Sequence, residues 1–130
     1  MPLVKIDIVK GARTREEIKK LAASIQKVMV DNLGAPELDH YQIVTQHEEY
    51  EVMCEDTGLG YSRSNKLVII QIFQQGRNNE QKQAAYKALQ EILYSTSGLA
   101  GEDLIVSCVE NTRADWSFGM GEAQFLTGKL

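Results

Sequence analysis

Residues 3–17 read LVKIDIVKGARTREE and residues 67–81 read LVIIQIFQQGRNNEQ; aligned under one another, the two stretches decide the fold. In the first, Val4, Ile6 and Ile8 alternate with Lys5 and Asp7, the period of a strand with one wetter face. Thr14 with Glu17 three positions on is a capping box, in which hydroxyl and carboxylate satisfy orphan amides at a helix start. Ile18, Leu21, Ala22, Ile25, Val28, Met29 and Leu33 then form a helical stripe, closed by Gly34 and Pro36. Tyr41 to His47 reads as a second strand.

The pattern repeats. Leu67 to Phe73 is a strand richer in aliphatics and so predicted to be more buried. Asn78 with Gln81 caps a helix whose stripe is Ala84, Ala85, Ala88, Leu89, Ile92 and Leu93; Gly98 ends it, and Leu104 to Val109 is the fourth strand. A shift of 64 positions pairs Leu3 with Leu67, Val4 with Val68, Ile6 with Ile70 and Ile8 with Ile72. The same shift pairs Arg13 with Arg77 and Glu16 with Glu80, polar matches that carry most of the weight. The chain is thus predicted to duplicate a βαβ unit, each joining parallel strands through a right-handed crossover.

The expected fold class is α/β (α+β): two tandem βαβ units in one four-stranded sheet with two helices on one face. A single domain spans residues 1–130. Residues 1–50 form the first unit, 51–65 a connecting loop, 66–112 the second unit and 113–130 a C-terminal segment. Residues 51–54 are expected as a short strand before the glycine-rich loop. Gly58-Leu59-Gly60 reads as a turn, since no helix follows with the third glycine of a nucleotide fingerprint. The chain has no third long helix for the second sheet face, so copies of itself are expected to cover it in a symmetric oligomer.

Composition narrows the function classes. A 43% hydrophobic, 25% charged chain of 130 residues can bury a core without disulfides or metal. The net charge is −4 and the lysines and arginines are scattered, which argues against nucleic acid. Cys54 and Cys108 stand far apart, as free thiols of a reducing compartment do. No signal-like segment opens the sequence, and its longest apolar run, Leu67 to Phe73, is too short to span a bilayer. The expectation is a cytoplasmic protein with no membrane partner. His40 and His47 lack ligand spacing and no Cys/His cluster exists, so no metal and no cofactor are expected.

Chemistry is expected at the second residue. Removal of Met1 leaves Pro2 with a free secondary amine, and an unperturbed α-amino group titrates at about 7.7–8.0. Such a nitrogen serves as base or nucleophile when neutral and as acid or cation when protonated. The chain carries Pro2-Leu3, Asp39 with Tyr41-Gln42, Gln46-His47, EDTGLGY at 55–61, Arg63-Ser64 and Glu80-Gln81-Lys82. Further on come Val109-Glu110-Asn111, Asp115-Trp116-Ser117-Phe118-Gly119 and Phe125-Leu126-Thr127-Gly128. In these motifs, over nearly its whole length, it resembles the tautomerase superfamily, and within it the malonate semialdehyde decarboxylase branch.

The resemblance implies catalytic roles for Pro2, Asp39 and Arg77. It implies a substrate-binding role for Gln75 and Arg77, and an apolar wall of Trp116, Phe118, Phe125 and Leu130. Gln75 stands where the branch has a second arginine, so one guanidinium and a neutral amide replace a paired clamp. Left to the residues alone, Arg77 equally reads as a partner of Glu80, Arg13 of Glu16 or Glu17, and Asp39 as a solvated loop or capping residue; His40 stands beside Asp39 to tune it and is not itself read as catalytic. The implied function is cofactor-independent decarboxylation of a 3-oxo acid such as malonate semialdehyde by a homotrimer. The alternatives are keto–enol tautomerisation of a phenylpyruvate-type 2-oxo acid, a related hydratase, or a non-catalytic protein-binding module on the same scaffold.

Overall fold

In the computed structural model, which describes residues 2–130, four seven-residue strands form one sheet. They are β1 (Leu3–Val9), β2 (Tyr41–His47), β3 (Val68–Gln74) and β4 (Leu104–Glu110), in the order β2-β1-β3-β4. β1 pairs parallel with β2 and β3 parallel with β4, so each half is a βαβ unit; β1 and β3 join the halves antiparallel. In that central ladder Ile6 faces Ile70, its own counterpart in the 64-residue repeat. A local twofold therefore passes through this rung.

The helices obey the same shift. α1 (Arg15–Leu33) and α2 (Asn79–Ser97) have complete capping boxes, Thr14 with Glu17 and Asn78 with Gln81. Gly34 and Gly98 end them in the left-handed region, at φ 64° and 65°, where a side chain would be strained. The turns that follow match too: the Asp39 amide donates to Pro36 O and the Asp103 amide to Ala100 O, both at 2.9 Å.

Both helices cover one sheet face. Val4, Ile6 and Ile8 with Val68, Ile70 and Ile72 pack beneath Leu21, Ile25 and Met29 of α1 and Leu89 and Leu93 of α2. Ser24, outside the predicted stripe, is buried as well, its hydroxyl bonded to Thr96 across the helix pair at 3.0 Å. Ala84, inside the predicted stripe, is exposed, because the apolar arc of α2 centres on Ala85, Leu89 and Leu93. The second face carries partly covered or exposed side chains, among them Tyr41 and Ile43 of β2, Ile69 and Phe73 of β3 and Val109 of β4.

The connecting loop corrects one expectation. Residues 51–54 form no strand; a 3₁₀ turn, Glu49–Glu51, precedes an irregular stretch, because the Glu51 and Val52 amides bond back to Glu48 and Glu49 carbonyls and leave the ladder. The Asp56 carboxylate accepts from the Gly58 and Gly60 amides at 3.1 and 2.9 Å, and these bonds lower its pKa. The loop thus spends its amides on itself rather than on a phosphate. Ser64 ties it down, donating through its amide and hydroxyl to the buried Asp103 at 2.7 and 2.6 Å. Among the described residues no helix is long and apolar enough to cross a membrane, and no three His, Cys, Asp or Glu side chains gather as metal ligands would.

Candidate active site

Sheet register explains why residues far apart in sequence meet. Leu3 pairs with Tyr41 on one side and Phe73 on the other. Pro2 precedes that rung, Asp39 lies two residues before Tyr41, and Gln75 two after Phe73. All three therefore sit at one end of the sheet. The turn from β3 into α2 brings Arg77 to the same end, and Gly76, at φ 73°, permits its bend.

An open cleft of about 460 Å³ lies there, walled by Asp39, Gln75, Arg77 and Phe125, with Leu33 at the end of α1 and Gln81 in the first turn of α2. Two backbone carbonyls fix Arg77: Nε donates to Leu33 O at 3.0 Å and Nη1 to Gln75 O at 2.7 Å. Those bonds leave Nη2 and the second Nη1 hydrogen for a ligand. Burial lowers the Arg77 pKa, and Asp39 and then Cys108 oppose the shift; the guanidinium stays charged in the working pH range. Arg77 is thus held by carbonyls and not by Glu80, and Arg13 likewise donates to Lys66 O at 2.6 Å. Asp39 is buried at 8% exposure, and its Oδ2 has no hydrogen-bond partner among the described residues. His40 Nε2 bonds Gln42 Oε1 at 2.7 Å.

The aromatic residues gather beside the cleft. Trp116 stacks on Phe118 at 5.4 Å between centroids, and Phe118 meets Phe125 edge-on at 5.6 Å. Trp116 Nε1 donates to Asn111 Oδ1 at 2.9 Å, which fixes the ring. Tyr41 extends the cluster, 5.7 Å from Phe118, a member that sequence reading placed only on a strand. Leu130 stands apart: it is 56% exposed and lines no part of the cleft, because its amide bonds Gln124 O in the chain-terminal turn. Pro2 is buried next to the Leu3 rung and is not on the cleft wall. Met1, whose removal is part of the expectation for Pro2, lies outside the described residues.

Gln74 is the residue that sequence reading missed. The last residue of β3, it is fully buried, and neither Oε1 nor Nε2 has a partner among the described residues. Continuing the β1–β3 register by one rung sets it opposite Pro2, on the same sheet face. A Gln closing an aliphatic strand, one residue from the cleft, was the only signal available.

A βαβ duplication with an arginine and a buried aspartate at the sheet end where Pro2 lies defines a class, and the chain belongs to the tautomerase family. Two family profiles described as "Tautomerase enzyme" match it, over residues 2–61 and 39–119. It is 48% identical to the probable tautomerase YrdN of Bacillus subtilis (strain 168), covering all of both chains. It is 32% identical to the probable tautomerase YusQ of the same organism, over 97% of this chain and 99% of that one. Among solved structures it matches a malonate semialdehyde decarboxylase described for its decarboxylase and hydratase activities, with TM-score 0.94, 46% identity and 98% of each chain covered. The FG41 malonate semialdehyde decarboxylase inhibited by 3-bromopropiolate gives TM-score 0.93 and 40% identity over 98% of this chain and 97% of that one. A wild-type fused 4-OT described as a symmetric trimer, at 20% identity and TM-score 0.79 over 97% of this chain and 98% of that one, shares the fold.

Proposed function

We propose that the protein decarboxylates a short 3-oxo acid of the malonate semialdehyde type, using the Pro2 nitrogen freed by loss of Met1. The observation that carries this reading is a carbonyl-anchored Arg77 with unspent donors, in one cleft with the buried, half-unpartnered Asp39. Arg77 takes the substrate carboxylate with charge-assisted bonds, helped by the Gln75 amide, and sets its angle to the carbonyl. When the carboxylate carbon leaves as carbon dioxide, the bonding pair stays on the adjacent carbon and needs a sink. Pro2 supplies it in one of two ways. As a nucleophile it adds to the aldehyde and expels water, so the pair flows into an iminium and gives an enamine that is protonated and hydrolysed to acetaldehyde. As a cation it polarises the carbonyl oxygen instead. Asp39 tunes Pro2 or orients the water that completes either route. Phe118, Trp116 and Phe125 give the carboxylate an apolar wall that suits the neutral product better than the anion.

Gln75 favours a second reading. With one guanidinium in place of two, the site meets the smaller demand of keto–enol tautomerisation, in which neutral Pro2 moves a proton on a phenylpyruvate-type acid. Product analysis of the mature protein separates the two: carbon dioxide with acetaldehyde in one case, interconverted isomers alone in the other. Pro2→Ala is expected to abolish either reaction, at least ~100-fold in kcat/KM, with unchanged folding. Full activity in that variant, or in protein shown by intact mass to keep Met1, overturns the proline chemistry. Borohydride added with substrate leaves a mass adduct on Pro2 by the iminium route and none by the cationic one. A protein inert toward both acids that keeps a binding partner after Pro2→Ala would be the non-catalytic module.

The second sheet face, with Ile43 half exposed beside Tyr41, supports assembly of copies through it, and a homotrimer is the form proposed.

A further inference from the structure

The local twofold through Ile6 and Ile70 carries the cleft onto a second pocket at the opposite end of the sheet. This pocket, about 230 Å³, is lined by Arg13, Glu17, Lys20, Lys66, Thr96 and Ser97. Under the 64-residue shift Arg13 answers to Arg77, Glu17 to Gln81 and Ser97 to Leu33, all of which line the first cleft. The correspondence reaches the chemistry as well. Lys66, an amine-bearing residue directly before the Leu67–Val68 start of its strand, stands where Pro2 stands before β1, and buried Asp103 answers to buried Asp39.

The two ends differ in what is left unspent. Asp39 keeps an oxygen without a partner, whereas both oxygens of Asp103 are taken by Ser64. The Lys66 ammonium donates to Ala12 O. Both Asp103 oxygens are therefore spent, while the Lys66 ammonium keeps two further donors. Arg13 too lines the pocket with donors to spare: Nη2 donates to Lys66 O, and its guanidinium makes no other hydrogen bond among the described residues. The pocket holds three cations against Glu17, whose carboxylate is already engaged with the Thr14 amide at the start of α1.

We infer that this second pocket is a non-catalytic binding site for a small carboxylate, which enters between the exposed Lys20 and Lys66 side chains and pairs with Arg13. The choice of a carboxylate over other anions rests on the reading of Arg77 as a carboxylate anchor, to which Arg13 corresponds under the 64-residue shift. Occupancy there bears on α1 and α2 together, since the pocket joins the first turn of one to the last turn of the other.

Malonate, a stable small dicarboxylate, is the probe, titrated into isotope-labelled full-length protein with backbone amide shifts as the readout. Millimolar malonate is expected to move the Lys66, Thr96 and Ser97 amides in wild type and in Arg77→Gln. Arg13→Gln is expected to leave those amides still while the Gly76 and Phe125 amides respond as before. Lys20→Glu, at an exposed position that should fold normally, is expected to weaken the midpoint about threefold. Shifts confined to the Arg77 end overturn the second site and leave the proposed active site standing. Shifts confined to the Arg13 end do the reverse. Sulfate producing the same shifts at the same midpoint overturns the assignment to carboxylates, as does an unchanged midpoint in Lys20→Glu.

Discussion

Two glutamines at the end of β3 set the chemistry against the stability of the fold. Gln75 sits on the cleft wall with an amide where a guanidinium would grip an acid in two places. Gln75→Arg is expected to lower KM for a 3-oxo acid about tenfold, worth ~1.4 kcal/mol, and to raise decarboxylation relative to tautomerisation in the same assay. An unchanged product ratio would show that the second cation is irrelevant here. Gln74 buries both amide atoms without a partner among the described residues, and an unmade bond of that kind costs ~1–3 kcal/mol. Gln74→Met, close in shape and free of polar atoms, is expected to stabilise the protein by about 1 kcal/mol in urea unfolding. If the amide serves Pro2 or the substrate, the same variant loses kcat, the usual exchange between stability and function. Sequence made Arg77, Asp39 and Gln75 visible through motif and repeat. It left Gln74 hidden, because burial without a partner is a property of packing and not of residue type.

The helices test the duplication at the level of elements. Thr14→Ala and Asn78→Ala each remove the side-chain half of a capping box, and each is expected to cost ~1 kcal/mol. The two caps part company in acid. Glu17 holds the Thr14 amide, and that bond, with the one from the Thr14 side chain, depresses its pKa below 4.5; Gln81 makes the equivalent bond to Asn78 and has no proton to gain. A depressed carboxyl pKa stabilises the fold above the unfolded value and ceases to do so as pH falls through the folded one. Urea midpoints are therefore expected to fall from pH 5 to pH 3 in wild type, less steeply in Glu17→Gln, with no change of slope from substitutions at Gln81. Caps, stripes and glycine stops were legible because they are local and periodic. The end of α2's apolar arc at Ala85 was not, since alanines at 84 and 85 are alike until a partner helix selects one.

For the molecule as a whole, one sheet face is covered by α1 and α2 and the other carries Tyr41, Ile43, Ile69, Phe73 and Val109. A face of that kind is stabilised by association, and the melting temperature then depends on protein concentration. Ile43 is 50% exposed in the single chain, so Ile43→Glu should fold as a monomer. Sedimentation is expected to show wild type as a trimer and this variant dissociated, with a concentration-independent melting temperature. A wild-type monomer at micromolar concentration would leave the second face without its proposed cover.

The amino-acid order by itself determined two βαβ units, the bounds of their four strands within a residue, and the family to which they belong, since strand alternation, helix stripes and caps are written within a few neighbouring positions. Tertiary structure decided the rest. Only the antiparallel pairing of β1 with β3, centred on Ile6 and Ile70, brings Asp39 and Arg77 to one cleft and sends Arg13 and Asp103 to the other end of the sheet. That pairing depends on the summed packing of both halves against one pair of helices, which no local stretch of sequence contains.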